Sequence, residues 1–164
     1  MMNFSALGAA HGTATLAALA FGGFVLAERK GTLTHRSLGA AYVAAMLAVN
    51  LTALGVYRIT GQFGPFHVLA LISLATVARG VAAVIRRRPG WLATHYYCMA
   101  WSYLGLVAAA AAEAVARSPL LARWVHTATD GMLVGLACVA AVLVLGVFLV
   151  PRLQARSLAG VAES

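Results

Sequence analysis

His95 and Glu113 stand near the two ends of the stretch HYYCMAWSYLGLVAAAAAEAVAR, residues 95–117. On an α-helix their separation is about five turns, roughly 27 Å, so the two side chains share a face. The positions between them on that face are Cys98, Ser102, Gly105 and Ala109, small or polar, and this predicts that the face looks inward. The stretch is otherwise apolar and long enough to cross a bilayer. An ionisable group inside such a segment is unfavourable by on the order of 3 kcal/mol and marks a functional site by default. His11 lies inside another apolar run, with Thr13 and Thr15 as its local polar company, and His67 opens a third run. Estimated depth brings His11, His67 and Glu113 toward one surface. Two imidazoles and a carboxylate suit Zn, Cu or Fe with a position left open. His35 and His95 lie toward the other surface. Opposed histidines would instead clamp the iron of haem b, one haem per leaflet.

The same residues have plainer roles. Glu113 precedes Arg117 by one helical turn, the favourable order for an ion pair along a helix. His35 and His95 follow arginine-containing turns and could be wetted by head groups, as could His67 after Pro65. His126 lies in a loop with Trp124, and Asp130 reads as the N-cap of the following helix. Arg79, inside the third apolar run, reads as a side chain that snorkels to the surface. His11 has no such ordinary role.

The elements that must hold these residues are transmembrane. The chain has 164 residues, 62% hydrophobic and only 10% charged, with a mean hydropathy of +0.88. A soluble domain would carry about 25% charged residues. The expected fold is all-α, a polytopic bundle of five helices near 5–27, 37–57, 65–85, 95–116 and 131–150, forming one domain over 1–164. The first run lacks a basic leader region and is expected to be a retained helix. Cys98 and Cys138 fall inside apolar runs and read as small buried hydrophobes.

The net charge of +8 is not a nucleic-acid signature here, because the basic residues cluster between apolar runs. Eight of them (Arg29, Lys30, Arg36, Arg86, Arg87, Arg88, Arg152 and Arg156) fall on one side, and Arg58, Arg117 and Arg123 on the other. The positive-inside bias predicts an inner (plasma) membrane protein with its amino terminus outside and its carboxyl tail in the cytoplasm. The expected partners are the lipid bilayer and either a membrane-protein partner or further copies of the chain.

A repeat is visible. Gly8-Ala-Ala-His11 is echoed by Gly64-Pro-Phe-His67, and Thr34-His35 by Thr94-His95. Four of the five histidines fall into this register, as expected for a duplicated helical hairpin with a fifth helix appended. Small-residue patterns accompany it: Gly8 with Gly12, Gly131 with Gly135, and the row Ala40, Ala44, Ala48 and Thr52. Each predicts a helix face that a neighbour approaches closely.

No dinucleotide or phosphate-loop fingerprint, nucleophile elbow or HExxH motif is present. Nor does one helix carry two histidines at the 13- or 14-residue spacing that many dihaem b-type cytochromes use, and no c-type haem attachment motif occurs. Three functions follow from the residues: a metal- or haem-binding redox or accessory protein, a small transporter or proton-relay subunit, or a structural partner in a membrane complex.

Several of these segments together resemble a known family. They are Lys30-Gly31-Thr with His35-Arg36, Gly39, Tyr42-Val43 and Met46; then Gly61-Gln-Phe-Gly64-Pro65-Phe66-His67; then His95-Tyr with Met99, Ser102-Tyr103, Gly105-Leu106, Ala109, Glu113 and Arg117. In this order they are similar to a family of small bacterial proteins described as predicted membrane proteins of unknown function, over roughly residues 8 to 117. The resemblance implies a polytopic bundle with a shared His/Glu set and supplies no reaction.

Overall fold

The computed structural model describes residues 6–55, 61–116, 118, 119 and 125–162. Among the described residues 86% are helical and none is in a strand. They form five helices, α1 (Ala6–Ala27), α2 (Leu33–Leu54), α3 (Pro65–Arg86), α4 (Trp91–Ala116) and α5 (Ala128–Ala162). Each is long and apolar enough to cross a membrane, as expected. The outward faces agree: Val144, Leu145, Val147 and Phe148 of α5 are all more than half exposed. Such a band would be a liability in water and is ordinary in lipid.

The helices begin and end where local chemistry satisfies their terminal backbone groups. Lys30 donates from Nζ to the carbonyls of Val25 and Leu26, both at 2.9 Å, and so closes the end of α1. Burial holds its ammonium below the usual lysine pKa, with Glu28 nearby acting the other way. Gly31 then turns the chain with φ of 84°. Thr32 caps α2 by accepting the His35 N–H at 3.1 Å. That cap starts α2 at Leu33, four residues before the expected 37, and puts His35 inside its first turn. Likewise Gly90, with φ of 77°, lets α4 start at Trp91 and not at 95.

The largest departure is α5, which continues through Pro151 to Ala162. Pro151 lacks the N–H that would bond Val147, so continuation needs outside support. Gln154 supplies it by donating from Nε2 to the Ala93 carbonyl at 2.8 Å. Ser157 adds a longer hydroxyl contact to Tyr96 at 3.4 Å. Gln154→Ala should weaken this docking by about 1 kcal/mol. Backbone hydrogen exchange after residue 151 should then quicken while residues 131–150 keep their protection. Equal protection of both segments would show that Gln154 does not hold the extension.

The chain forms two compact units, residues 1–78 and 79–164, with the boundary inside α3. In the first, α1 packs on α2. Ala18 and Gly22 are the buried positions of α1, a small-residue pair one turn apart, and the buried apolar residues of α2 are Tyr42, Met46 and Val49. The expected alanine row does not serve: Ala40, Ala44 and Ala48 are exposed. Gly12 is open on its Cβ side, with nothing within 4 Å. In the second unit, α4 packs on α5. Its core includes Cys98, Leu106, Ala108, Ala112, Val139 and Val150, with Ser102 buried beside them. Gly146 of α5 lies against Leu104 and Trp101 of α4.

Candidate functional site

His11 sits in the second turn of α1, on the face that meets α2. Its ring nitrogen Nδ1 lies 3.2 Å from the Val49 carbonyl and 2.9 Å from the Thr52 hydroxyl. A carbonyl only accepts, so Nδ1 carries the proton and donates it. Thr52 agrees, because its own hydroxyl donates back into α2, to Ala48 at 2.6 Å, and leaves a lone pair for His11. In the neutral ring this fixes Nε2 as the atom with the free electron pair.

His95 repeats the arrangement in the second unit. Its Nδ1 lies 3.0 Å from the Gly80 carbonyl on the last part of α3, so it too donates from Nδ1 and keeps its lone pair on Nε2. Gly80 fits the approach because it lacks a side chain. A Cβ there would run into the Met99 methyl and come within 3.0 Å of the Cys98 Cβ. A histidine held through Nδ1–H by a backbone carbonyl is the usual arrangement of an imidazole that binds a metal through Nε2.

His67 is set up the other way. The backbone N–H of Gly64 donates to His67 Nδ1 at 3.0 Å, while the His67 N–H bonds the Gly64 carbonyl, also at 3.0 Å. Gly64 is thus the N-cap of α3, Pro65 its first residue, and the buried His67 ring closes a capping box in place of Glu or Gln. Its ring also stacks on Phe63 with centroids 5.0 Å apart. With Nδ1 accepting, the neutral ring carries its proton on Nε2. Binding a metal through Nε2 would require the other tautomer and the loss of this cap.

His35 is half-buried in the first turn of α2. Glu113 is exposed on α4, and so is Ala109. The inward face expected from His95 to Glu113 therefore holds only as far as Ser102. Beyond it burial passes to Leu106, Ala108 and Ala112. Arg117, the expected partner of Glu113, lies outside the described residues, as do Arg58, Arg123 and Trp124. Asp130 is not the cap of α5. It accepts the Thr127 N–H at 2.9 Å while Thr127 caps the helix by accepting the Asp130 N–H at 3.1 Å. Among the described residues no three of His, Cys, Asp and Glu come together as a metal-holding group.

Residue types alone did not point to the partners that orient His11 and His95. Two are backbone carbonyls, of Val49 and Gly80, and Thr52 was read as part of a packing row. The hairpin register carried the signal for the first: His11 is sixteen residues before the end of α1, and Val49 is sixteen residues after the start of α2.

No curated protein matches the chain, and neither does any solved structure. A family model does match, over residues 8–150, which takes in all four histidines of the repeat, Glu113 and most of α5. The chain is a member of the family described as predicted membrane protein (DUF2306).

Proposed function

We propose that this multi-pass membrane protein binds haem b in a redox or accessory role, with His11 in the first unit and His95 in the second each an iron ligand within its own unit. What supports this reading is the shared orientation of the two rings. Each gives its Nδ1 proton to a backbone carbonyl and keeps its lone pair on Nε2. A mononuclear ion held by protein alone needs three or four side chains, and no group of three gathers among the described residues. Haem iron needs only one or two, because the porphyrin fills the equatorial positions. Bound haem would supply one-electron chemistry. The chain's own task would be to fix the tautomer and angle of each imidazole and to hold the group in apolar surroundings. His35 and His67 act as supports for helix starts in this reading, and Glu113 as a surface residue. The arginine bias supports an amino terminus outside the cell.

The test is an absorption spectrum with elemental analysis of full-length protein purified in detergent from cells supplied with haem precursor. A Soret band with near-stoichiometric iron is expected. A protein with neither haem nor any transition metal would overturn the proposal and favour a transport or assembly role. A metal without a Soret band would replace haem with a simple ion.

A further inference from the structure

The second unit contains a cavity that the histidines do not use. It lies between the last turns of α3 and the first turn of α4, and its volume is about 210 Å³. At about 30 Å³ per water that is room for roughly seven, enough for a phosphate with part of a head group. Arg79, Arg86 and Arg88 line it, with Thr94 as a hydroxyl donor and no acidic residue in the wall. Arg79 and Arg86 are seven residues apart, about two turns, so they fall on one face of α3 at two depths. Arg88 comes from the turn beyond. That turn is made by Arg87 in the left-handed conformation, with φ of 45°, an unfavourable backbone for a residue with a side chain. Strain of this kind persists where surrounding structure over-determines it, as at ligand clamps. The Arg87 guanidinium stacks over the Trp91 ring at 5.5 Å, which fixes another wall residue. The positive end of the α4 dipole adds to the field.

We propose that this cavity binds the phosphate of an anionic phospholipid. Its position at the end of two transmembrane helices is where head groups lie. Ala82, Ala83 and the Trp91 ring supply the apolar part of the wall, suited to glycerol and the start of an acyl chain. A free anion would have no use for that surface. Arg79 stands about two turns inside α3, where its neighbour is the Cys98 thiol and not a carboxylate, and a phosphate drawn down to it supplies the opposite charge. Three arginines without an acid favour a net-negative head group over a zwitterionic one, whose ammonium they would repel.

Native mass spectrometry of delipidated full-length protein tests this, with short-chain phosphatidylglycerol, short-chain phosphatidylcholine and inorganic phosphate as probes. Phosphatidylglycerol should bind at least about tenfold more tightly than phosphatidylcholine, and Arg86→Gln and Arg88→Gln should each weaken it about fivefold. Arg152→Gln, at an exposed position of α5 outside the cavity, should leave the affinity unchanged. Both glutamine variants keep their helices, since these side chains are exposed and bury nothing. Equal affinity for the two lipids would overturn the proposal, as would a loss in Arg152→Gln matching that in Arg86→Gln. Inorganic phosphate binding as tightly as phosphatidylglycerol, with the same dependence on Arg86, would overturn the lipid assignment in favour of a free anion.

Discussion

His11→Ala is expected to reduce the haem bound in the first unit by more than tenfold while leaving the helical content of the protein intact. The two parts of this expectation have separate physical origins. Loss of haem follows from removing an axial ligand, for which no other side chain in the first turns of α1 can substitute: Thr13 and Thr15 donate their hydroxyls to the carbonyls of Ala9 and His11. Survival of the fold follows from the partners left behind. Thr52 keeps its bond to the Ala48 carbonyl, and the α1–α2 core of Ala18, Tyr42 and Met46 lies away from position 11. A subtler variant separates ligation from packing. Thr52→Val keeps the shape at that position and removes one of the two acceptors that hold the His11 Nδ1–H. Outer-shell changes of this sort weaken metal affinity by roughly 10- to 100-fold, and the lower end applies because the Val49 carbonyl remains. His11→Gly with added imidazole gives the third arm, since a free imidazole can fill the space and restore the spectrum. Unaltered haem content in His11→Ala would remove this residue from the site. Haem lost in His11→Ala and not regained with imidazole in His11→Gly would assign it a packing role.

The number and approximate place of the helices were legible because lipid imposes a length and a composition that few other structures share. Their ends were less so. Thr34-His35 and Trp91-Leu-Ala-Thr read as polar or aromatic turn segments, yet each lies in a first helical turn, because Thr32 and Gly90 finish the turns earlier. The fifth helix is expected to end at 150, yet it passes through Pro151 with help from a side chain, Gln154, whose partner is sixty-one residues away in sequence. No local pattern contains that contact. The candidate site divides along the same line. That His11 and His95 are candidates could be read from their types and depth. Which nitrogen each presents was not, because the tautomer is set by carbonyls that every residue owns. His67 shows the converse: GPFH looked like a ligand motif and is the start of a helix, with the imidazole doing the work of a capping carboxylate.

Glycine is the other place where pattern and geometry part, and it yields the second large effect. Gly146→Ala is expected to destabilise the second unit by about 1–3 kcal/mol, whereas Gly12→Ala should be neutral or stabilising by up to about 1 kcal/mol. Both substitutions add the same methyl group to an apolar helix and gain the same helix propensity, so the difference isolates packing. At Gly12 the new Cβ meets nothing within 4 Å. At Gly146 it overlaps the end of Leu104, and the neighbouring Leu104 Cγ at 3.4 Å and Trp101 ring at 3.3 Å stand behind it. The end of Leu104 must shift, and with the Trp101 ring and the Leu104 Cγ also tight against the added methyl, relief calls for more than one side chain to give. Gly131, the first glycine of the GxxxG on α5, is not such a place: a Cβ there would make only an ordinary 3.5 Å contact with Val125. Thermal unfolding in detergent, followed by circular dichroism, reads the effect as a fall of roughly 2–12 °C. The decisive comparison is Gly146→Ala combined with Leu104→Ala, which makes room for the added methyl. If overlap is the cause, the two substitutions together should cost about 1 kcal/mol or more less than the sum of each alone. Simple additivity would mean that the methyl at 146 acts by some means other than its contact with Leu104, and the close approach of α4 and α5 there would lose its energetic meaning.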